Sequence, residues 1–336
     1  MYTIKRLWLE KDAQVYQQWM ELIEKSGLTL NEKVDYTVGI YQEEQLIATG
    51  SYERNILKYL AVTKDFQSGN LLTKLVQQLI DHLSEENKRH FFVYTDPSNH
   101  SIFHAMGFKE IIATETILFM EQGTPDFQDY LAMLKAKKKK GTGCGIVMNA
   151  NPFTKGHQYL VECAAKQADQ VYLFILSEDC SEFSFSERFE MVKQGVAYVK
   201  NVTILPTEDY LISSATFPAY FLKEHATEEA AKAQGTLDAL LFKEKIAPIL
   251  KIENRFVGEE PYSKVTEIYN ETLKKVFGES LSLIVLPRKR IKRVAISATK
   301  VRKALQEDDL QTLQAYLPAS TYNYIKNHKR NRGDRK

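Results

Sequence analysis

Apolar residues along this chain fall in short runs separated by amphipathic stretches, and the rhythm changes near residue 140. In the first part, Tyr36–Tyr41 and Gln45–Tyr52 are two strand-like runs around an acidic turn, which predicts a hairpin. Leu57–Val62 and His90–Thr95 predict two more strands. Between them, Phe66-Gln67-Ser68-Gly69-Asn70 leads into a helical pattern with Leu71, Leu72, Leu75, Val76, Leu79 and Ile80 on one broad face. Asn99, Phe103 and Met106-Gly107-Phe108 complete a short helix and turn. In the second part strands and helices alternate. The predicted strands are Cys144–Asn149, Val171–Ser177, Val202–Leu205, Arg255–Gly258 and Leu281–Leu286. The predicted helices are His157–Ala168, Ser186–Val199, Leu237–Leu250 and Val265–Phe277. Such alternation predicts an α/β fold with a parallel sheet and ligands at the carboxyl ends of its strands.

The 336 residues fit two domains. Residues 1–122 are expected to form the first and 144–330 the second. The stretch 123–143 holds Gly123-Thr124-Pro125, then Lys135 and Lys137–Lys140, then Gly141-Thr142-Gly143. It reads as a solvated helix end and tether, with a docking patch for an acidic partner as the alternative. The tail His328–Lys336 is basic and polar.

A hydrophobic fraction of 44% with 26% charged residues is that of a globular protein. The net charge of +2, from 45 Lys and Arg against 43 Asp and Glu, gives no global case for nucleic acid. Cys144, Cys163 and Cys180 show no metal spacing and no paired framework, so they are expected to be reduced thiols. No apolar run reaches the ~18 residues of a membrane span. A cytoplasmic location without a membrane anchor is the expectation.

Chemistry concentrates in two segments. After the strand ending at Met148, a polar turn with a proline leads to Thr154-Lys155-Gly156-His157 and a helix. Backbone N–H groups and the positive end of a helix dipole face an anion there. Gly156 removes a Cβ from the approach of a phosphate. His157 sits in the first helical turn, where its ring can donate to phosphate oxygens as charge builds on them. About 140 residues on comes Ile296-Ser297-Ala298-Thr299-Lys300-Val301-Arg302. Ser297 and Thr299 suit a helix start. Thr299 and Arg302 are three apart and share a face, fit to hold β and γ phosphates. From Arg288 to Lys303, eight of sixteen residues are basic. Arg188, at the start of the helix after the second strand of this domain, is expected to reach the phosphates, with a surface salt bridge as the alternative. Ser213, Ser214 and Thr216 are candidates for an acid or thiol site, or local turn caps. Glu259, Glu260 and Tyr262 are candidates for nucleotide or ribose contacts.

The order of elements in residues 1–122 resembles a GNAT acetyltransferase domain, with Gln67, Ser68 and Gly69 where that fold holds the pyrophosphate of coenzyme A but without its usual multiple glycines and arginine; binding of a CoA-like group or a partner, active acetyl transfer and a purely structural role are the alternatives. Asn149-Ala-Asn-Pro-Phe-Thr-Lys-Gly-His157, Tyr210–Pro218, Val257-Gly-Glu-Glu-Pro-Tyr262 and Ile296–Arg302 resemble segments of the citrate lyase ligase family. The second domain then resembles a Rossmann-like nucleotidylyltransferase of the HIGH type. That superfamily often has His at position 154 and Asp at 151; here Thr154 and Asn151 stand, which leaves more of the work to His157.

The resemblance implies an AMP-forming acid–thiol ligase. Acetate attacks the α phosphorus of ATP, giving acetyl-adenylate and pyrophosphate. The thiol of the CoA-derived prosthetic group on the acyl carrier subunit of citrate lyase then takes the acetyl group. It implies catalytic roles for His157, Thr154 and Lys155. It implies ATP contacts from Asn149, Asn151, Phe153, Thr154, Gly156, His157, Arg188, Gly258, Glu260, Ser297, Thr299 and Arg302. Mg2+ is expected on the phosphates, with no ligand set evident in the sequence. No nucleic-acid or membrane partner is expected. A tRNA-directed acetate ligase and a non-catalytic nucleotide-sensing adaptor are the alternatives; near-neutral charge and the first domain argue against the former, and the retained His157, Thr299 and Arg302 against the latter.

Overall fold

A computed structural model describes residues 2–28, 33–67, 70–217, 227–259 and 264–333. Ser68, Gly69, Pro218, Glu260, Pro261, Tyr262 and Ser263 lie outside the described residues. The chain divides into two compact units, Met1–Phe127 and Gln128–Lys336.

The first unit is a seven-stranded sheet in the order β1-β2-β3-β4-β5-β7-β6. Its strands are β1 (Tyr2–Arg6), β2 (Tyr36–Gln42), β3 (Gln45–Glu53), β4 (Ile56–Val62), β5 (His90–Thr95), β6 (Lys109–Ala113) and β7 (Leu118–Gly123). All neighbours are antiparallel except β4 and β5, which run parallel and pair at Ile56–Phe92 and Leu57–Val93. Alternation along β2 sends Val38 and Ile40 to a core under the helix Leu71–Glu85, and Tyr41 to a core under the helix Ala13–Lys25. The sequence pattern did not reveal β1, whose five residues are all exposed and carry no alternation.

The stretch expected to be a tether from 123 to 143 contains a helix, Phe127–Lys137. Tyr130 and Leu134, four apart, are buried, while Lys135 and Lys137–Lys140 stay exposed. The lysine run is exposed at the helix end, while the helix before it buries Tyr130 and Leu134.

The second unit has a five-stranded parallel sheet, β10-β9-β8-β11-β12. The strands are β8 (Gly143–Met148), β9 (Gln170–Ile175), β10 (Val202–Pro206), β11 (Ile252–Gly258) and β12 (Ser282–Leu286). The first strand is central: the chain winds outward to β10, then returns to the other side of β8. The β8/β11 junction is therefore a topological switch point, where such sheets open a crevice at their carboxyl ends.

Cys144, Ile146 and Met148 pack on one face with Val161, Met191, Val192, Val301 and Leu305 from helices Lys155–Ala165, Phe185–Val196 and Ala298–Gln306. On the other face Gly145 leaves room for Phe242, whose ring would lie 2.7 Å from an added Cβ. That face is covered by helices Glu228–Leu240 and Lys264–Phe277. The first starts nine residues before the predicted Leu237, with Thr227 capping Ala230 N. A π-helical turn, Leu241–Ile246, and a short helix, Ala247–Leu250, follow it. Pro248 lies directly after the π-helical turn, in a helical stretch that is unbroken from Glu228 to Leu250. The basic stretch after β12 contains a two-residue hairpin, β13 (Arg290–Ile291) and β14 (Val294–Ala295).

Candidate functional site

The turn after β8 places a non-glycine residue in the left-handed region. Ala150 lies at φ 52°, and the Asn151–Pro152 peptide is cis. A non-glycine residue in the left-handed region costs energy and persists where its surroundings over-determine it. Thr154 then caps the helix Lys155–Ala165 through a reciprocal box: its Oγ1 accepts from His157 N, and His157 Nδ1 accepts from Thr154 N at 3.0 Å. That acceptor role fixes the tautomer. With Nδ1 facing an N–H donor, the proton of the neutral ring sits on Nε2, free to donate outward.

Burial pushes the His157 pKa down from 6.5 to about 4, and the Arg288 guanidinium adds to the shift. The ring is therefore neutral at pH 7. Because the folded value is depressed, the linked stability is present above pH 6.5 and is lost as pH falls through about 4. A proton-detected NMR titration of the free protein is expected to show His157 as the Nε2–H tautomer at pH 7, with its midpoint near 4. A midpoint near 6.5 would contradict the burial argument.

The sequence-predicted residues separate into those that face the crevice and those that build its walls. Thr154 is 2% exposed and its hydroxyl is engaged with His157, so it serves the cap and does not reach toward solvent. Lys155 donates through Nζ to the carbonyls of Gln314 and Ala315 at 2.9 and 2.8 Å, at the end of the helix Leu310–Tyr316. Phe153 is fully buried, its ring seated where a Cβ on Gly195 would stand and stacked against His157.

Arg188 is the largest departure. It is fully buried, and its guanidinium donates to Asn149 O and Oδ1, Leu176 O, Glu178 O and Phe183 O. Burial lowers its pKa, with Asp179 opposing. It ties the loop after β8 to the loop after β9 rather than reaching a phosphate.

The two motifs meet. Arg302 Nη1 donates to Asn151 O at 2.7 Å, and Nη2 donates to Thr299 Oγ1 at 3.0 Å. A Cβ placed on Gly156 would touch Ile296 at 3.6 Å, so the first helical turn abuts the second motif. Ser297 occupies the N-cap of its helix without a side-chain cap bond, so its hydroxyl does not serve the cap expected of it. Arg288, indistinguishable by pattern from its basic neighbours, joins the ends of β11 and β12 to this motif. It donates to Glu259 O at 2.8 Å and to Ile296 O at 3.2 Å. Among the described residues no atom lies within 4 Å of where a Cβ on Gly258 would point. Glu260 lies outside the described residues.

On the other side of β8, Asn149 Nδ2 donates to Ser181 Oγ at 3.1 Å, and Phe183 N donates to Asn151 Oδ1 at 3.3 Å. Glu178, 8% exposed, accepts from Ser214 N at 2.8 Å. Ser213 and Thr216 bond each other and the local backbone, the turn-cap reading of these hydroxyls. Among the described residues no three His, Cys, Asp or Glu side chains are grouped to hold a metal ion. No helix among the described residues is long and apolar enough to cross a membrane.

Comparison with known proteins gives concordant matches. Residues 143–325 match the citrate lyase ligase C-terminal domain family, and residues 10–118 match the acetyltransferase (GNAT) domain family. The chain is 35% identical over 312 residues to the citrate (pro-3S)-lyase ligase of Haemophilus influenzae, covering 90% of this chain and 92% of that protein. It is 32% identical over 332 residues to the protein of the same name from Escherichia coli K12, covering 96% and 93%. With that of Klebsiella pneumoniae it shares 33% over 329 residues, covering 96% of each.

Proposed function

The chain belongs to the citrate lyase ligase family and is a ligase enzyme, and from that premise we propose that it activates acetate with ATP and passes the acetyl group to a carrier thiol. A carboxylate oxygen of acetate attacks the α phosphorus, the bond to the β phosphate breaks, and pyrophosphate leaves. The thiol of a CoA-derived group on the citrate lyase acyl carrier subunit then attacks the acetyl carbon. AMP leaves and the thiol proton passes to solvent.

One observation carries this reading: residues about 150 positions apart, Asn151 and Arg302, are in direct contact at the switch point of the sheet. His157 Nε2–H and the start of the helix Lys155–Ala165 are then donors for the α-phosphate, and Thr299 and Arg302 for the β and γ phosphates. No protein nucleophile is needed, since positioning and charge neutralisation supply the rate. The GNAT match over residues 10–118 supports a role for the first unit in binding the CoA-like arm.

Arg302→Ala is expected to raise the KM for ATP by about 10- to 100-fold, the loss of a hydrogen bond to a charged group, with a smaller effect on the KM for acetate. An unchanged ATP KM would remove Arg302 from the site. The reading as a whole is tested by incubating the protein with deacetylated citrate lyase, ATP and labelled acetate and counting label on the carrier subunit. Absence of label would overturn it.

A further inference from the structure

The run Tyr210–Phe217 after β10 is buried at every position except Ser214. The backbone N–H groups from Ile212 to Phe217 are all engaged, and Ser214 Oγ has no hydrogen-bond partner among the described residues. A buried turn thus exposes a single uncommitted hydroxyl at the carboxyl end of the sheet.

The turn is also strained. Ile212 lies at φ 46°, a conformation that a β-branched residue rarely adopts. Its N–H is held by Asp238 Oδ1 at 2.7 Å. Asp238 is fully buried, and its Oδ2 accepts from the Tyr269 hydroxyl, which in turn accepts from Arg255 Nη2 at 3.1 Å. Arg255 is 1% exposed, with Nε and Nη1 lacking partners. A buried charged pair is no more stabilising than apolar packing, and buried N–H groups without partners are costly. Strain and incomplete charge solvation coincide beneath one turn, and such coincidences gather where geometry serves function.

Topology says which ligand. The contacts of Arg302 and Arg288 lie on the β8, β11 and β12 side. The turn lies on the β9 and β10 side, joined by Glu178. In-line displacement puts the attacking oxygen opposite the leaving pyrophosphate. With the β and γ phosphates on Thr299 and Arg302, the attacking acid approaches over β9 and β10. We propose that Ser214 donates its hydroxyl to the short carboxylic acid substrate, and that Asp238 is the positioning residue that holds the strained turn presenting it. This rests on the ligase reading above.

Acetate-dependent ATP–pyrophosphate exchange in the full chain tests it. Ser214→Ala is expected to raise the acetate KM by about tenfold, with ATP KM and Tm unchanged. Tyr269→Phe, which frees one oxygen of Asp238, is expected to raise the acetate KM selectively as well. If Ser214→Ala leaves the acetate KM unchanged while wild type exchanges normally, this proposal falls and the ligase reading stands. If Tyr269→Phe raises both KM values together, the network is merely structural and the role of Asp238 is overturned. Absence of acetate-dependent exchange in wild type overturns the ligase reading, and this proposal with it.

Discussion

His157→Ala is expected to lower the rate of acetyl-adenylate formation by about 10²–10³-fold, the loss of one preorganised donor to a developing oxyanion. The imidazole is neutral, its tautomer is set by the Thr154 N–H, and its stacking on buried Phe153 fixes the ring plane. Alanine also removes half of a capping box, a change worth about 0.5–2 kcal/mol of stability. The two effects separate in His157→Gln. Glutamine at the third helical position restores the reciprocal bond to the cap residue, so the Tm should recover toward wild type. The rate should not, because the amide does not project a donor where Nε2 stood. A His157→Gln enzyme with near-normal turnover would show that the ring serves only the cap.

Arg188→Met is expected to destabilise the second unit by at least about 3 kcal/mol, because several buried oxygens lose a charged donor at once. Those oxygens belong to Asn149, Leu176, Glu178 and Phe183, so both loops over β8 and β9 lose their common anchor. Activity should fall with stability and should not be restored by excess ATP. Lys193→Met, on the exposed side of the same helix, should change stability by less than about 0.5 kcal/mol. Chemical denaturation followed through the transition of the second unit gives the comparison. Equal, small effects in the two variants would contradict the anchoring role. A rise in ATP KM at unchanged stability would return Arg188 to the phosphate-binding role first expected of it.

The α/β alternation of the second unit was legible because apolar runs and amphipathic stretches there follow the periods of strand and helix. β8, β9, β10 and β12 lie within about two residues of expectation, whereas β11 begins three earlier, at Ile252. The burial of Arg188 was not legible because a lone arginine near a helix start reads as surface charge. The contrary signal was present: Phe185 precedes it by three positions and Met191 and Val192 follow by three and four, which puts Arg188 on the apolar stripe.

The hairpin in the basic stretch was hidden for a different reason. Its central residues, Lys292 and Arg293, both have positive φ, where Asn-Gly would have signalled the turn. The long-range contacts Arg302–Asn151, Asp238–Ile212 and Glu178–Ser214 have no local signature, since tertiary packing alone brings their partners together.

The central claim is that two distant segments grip one triphosphate and direct its cleavage between the α and β phosphates. Phosphorus NMR of the purified protein with ATP, acetate and a pantetheine-type thiol tests it most directly. The account predicts AMP and pyrophosphate in equal amounts, dependent on acetate and suppressed in His157→Gln and Arg302→Ala. Formation of ADP and phosphate, or cleavage indifferent to acetate and to both substitutions, would contradict it.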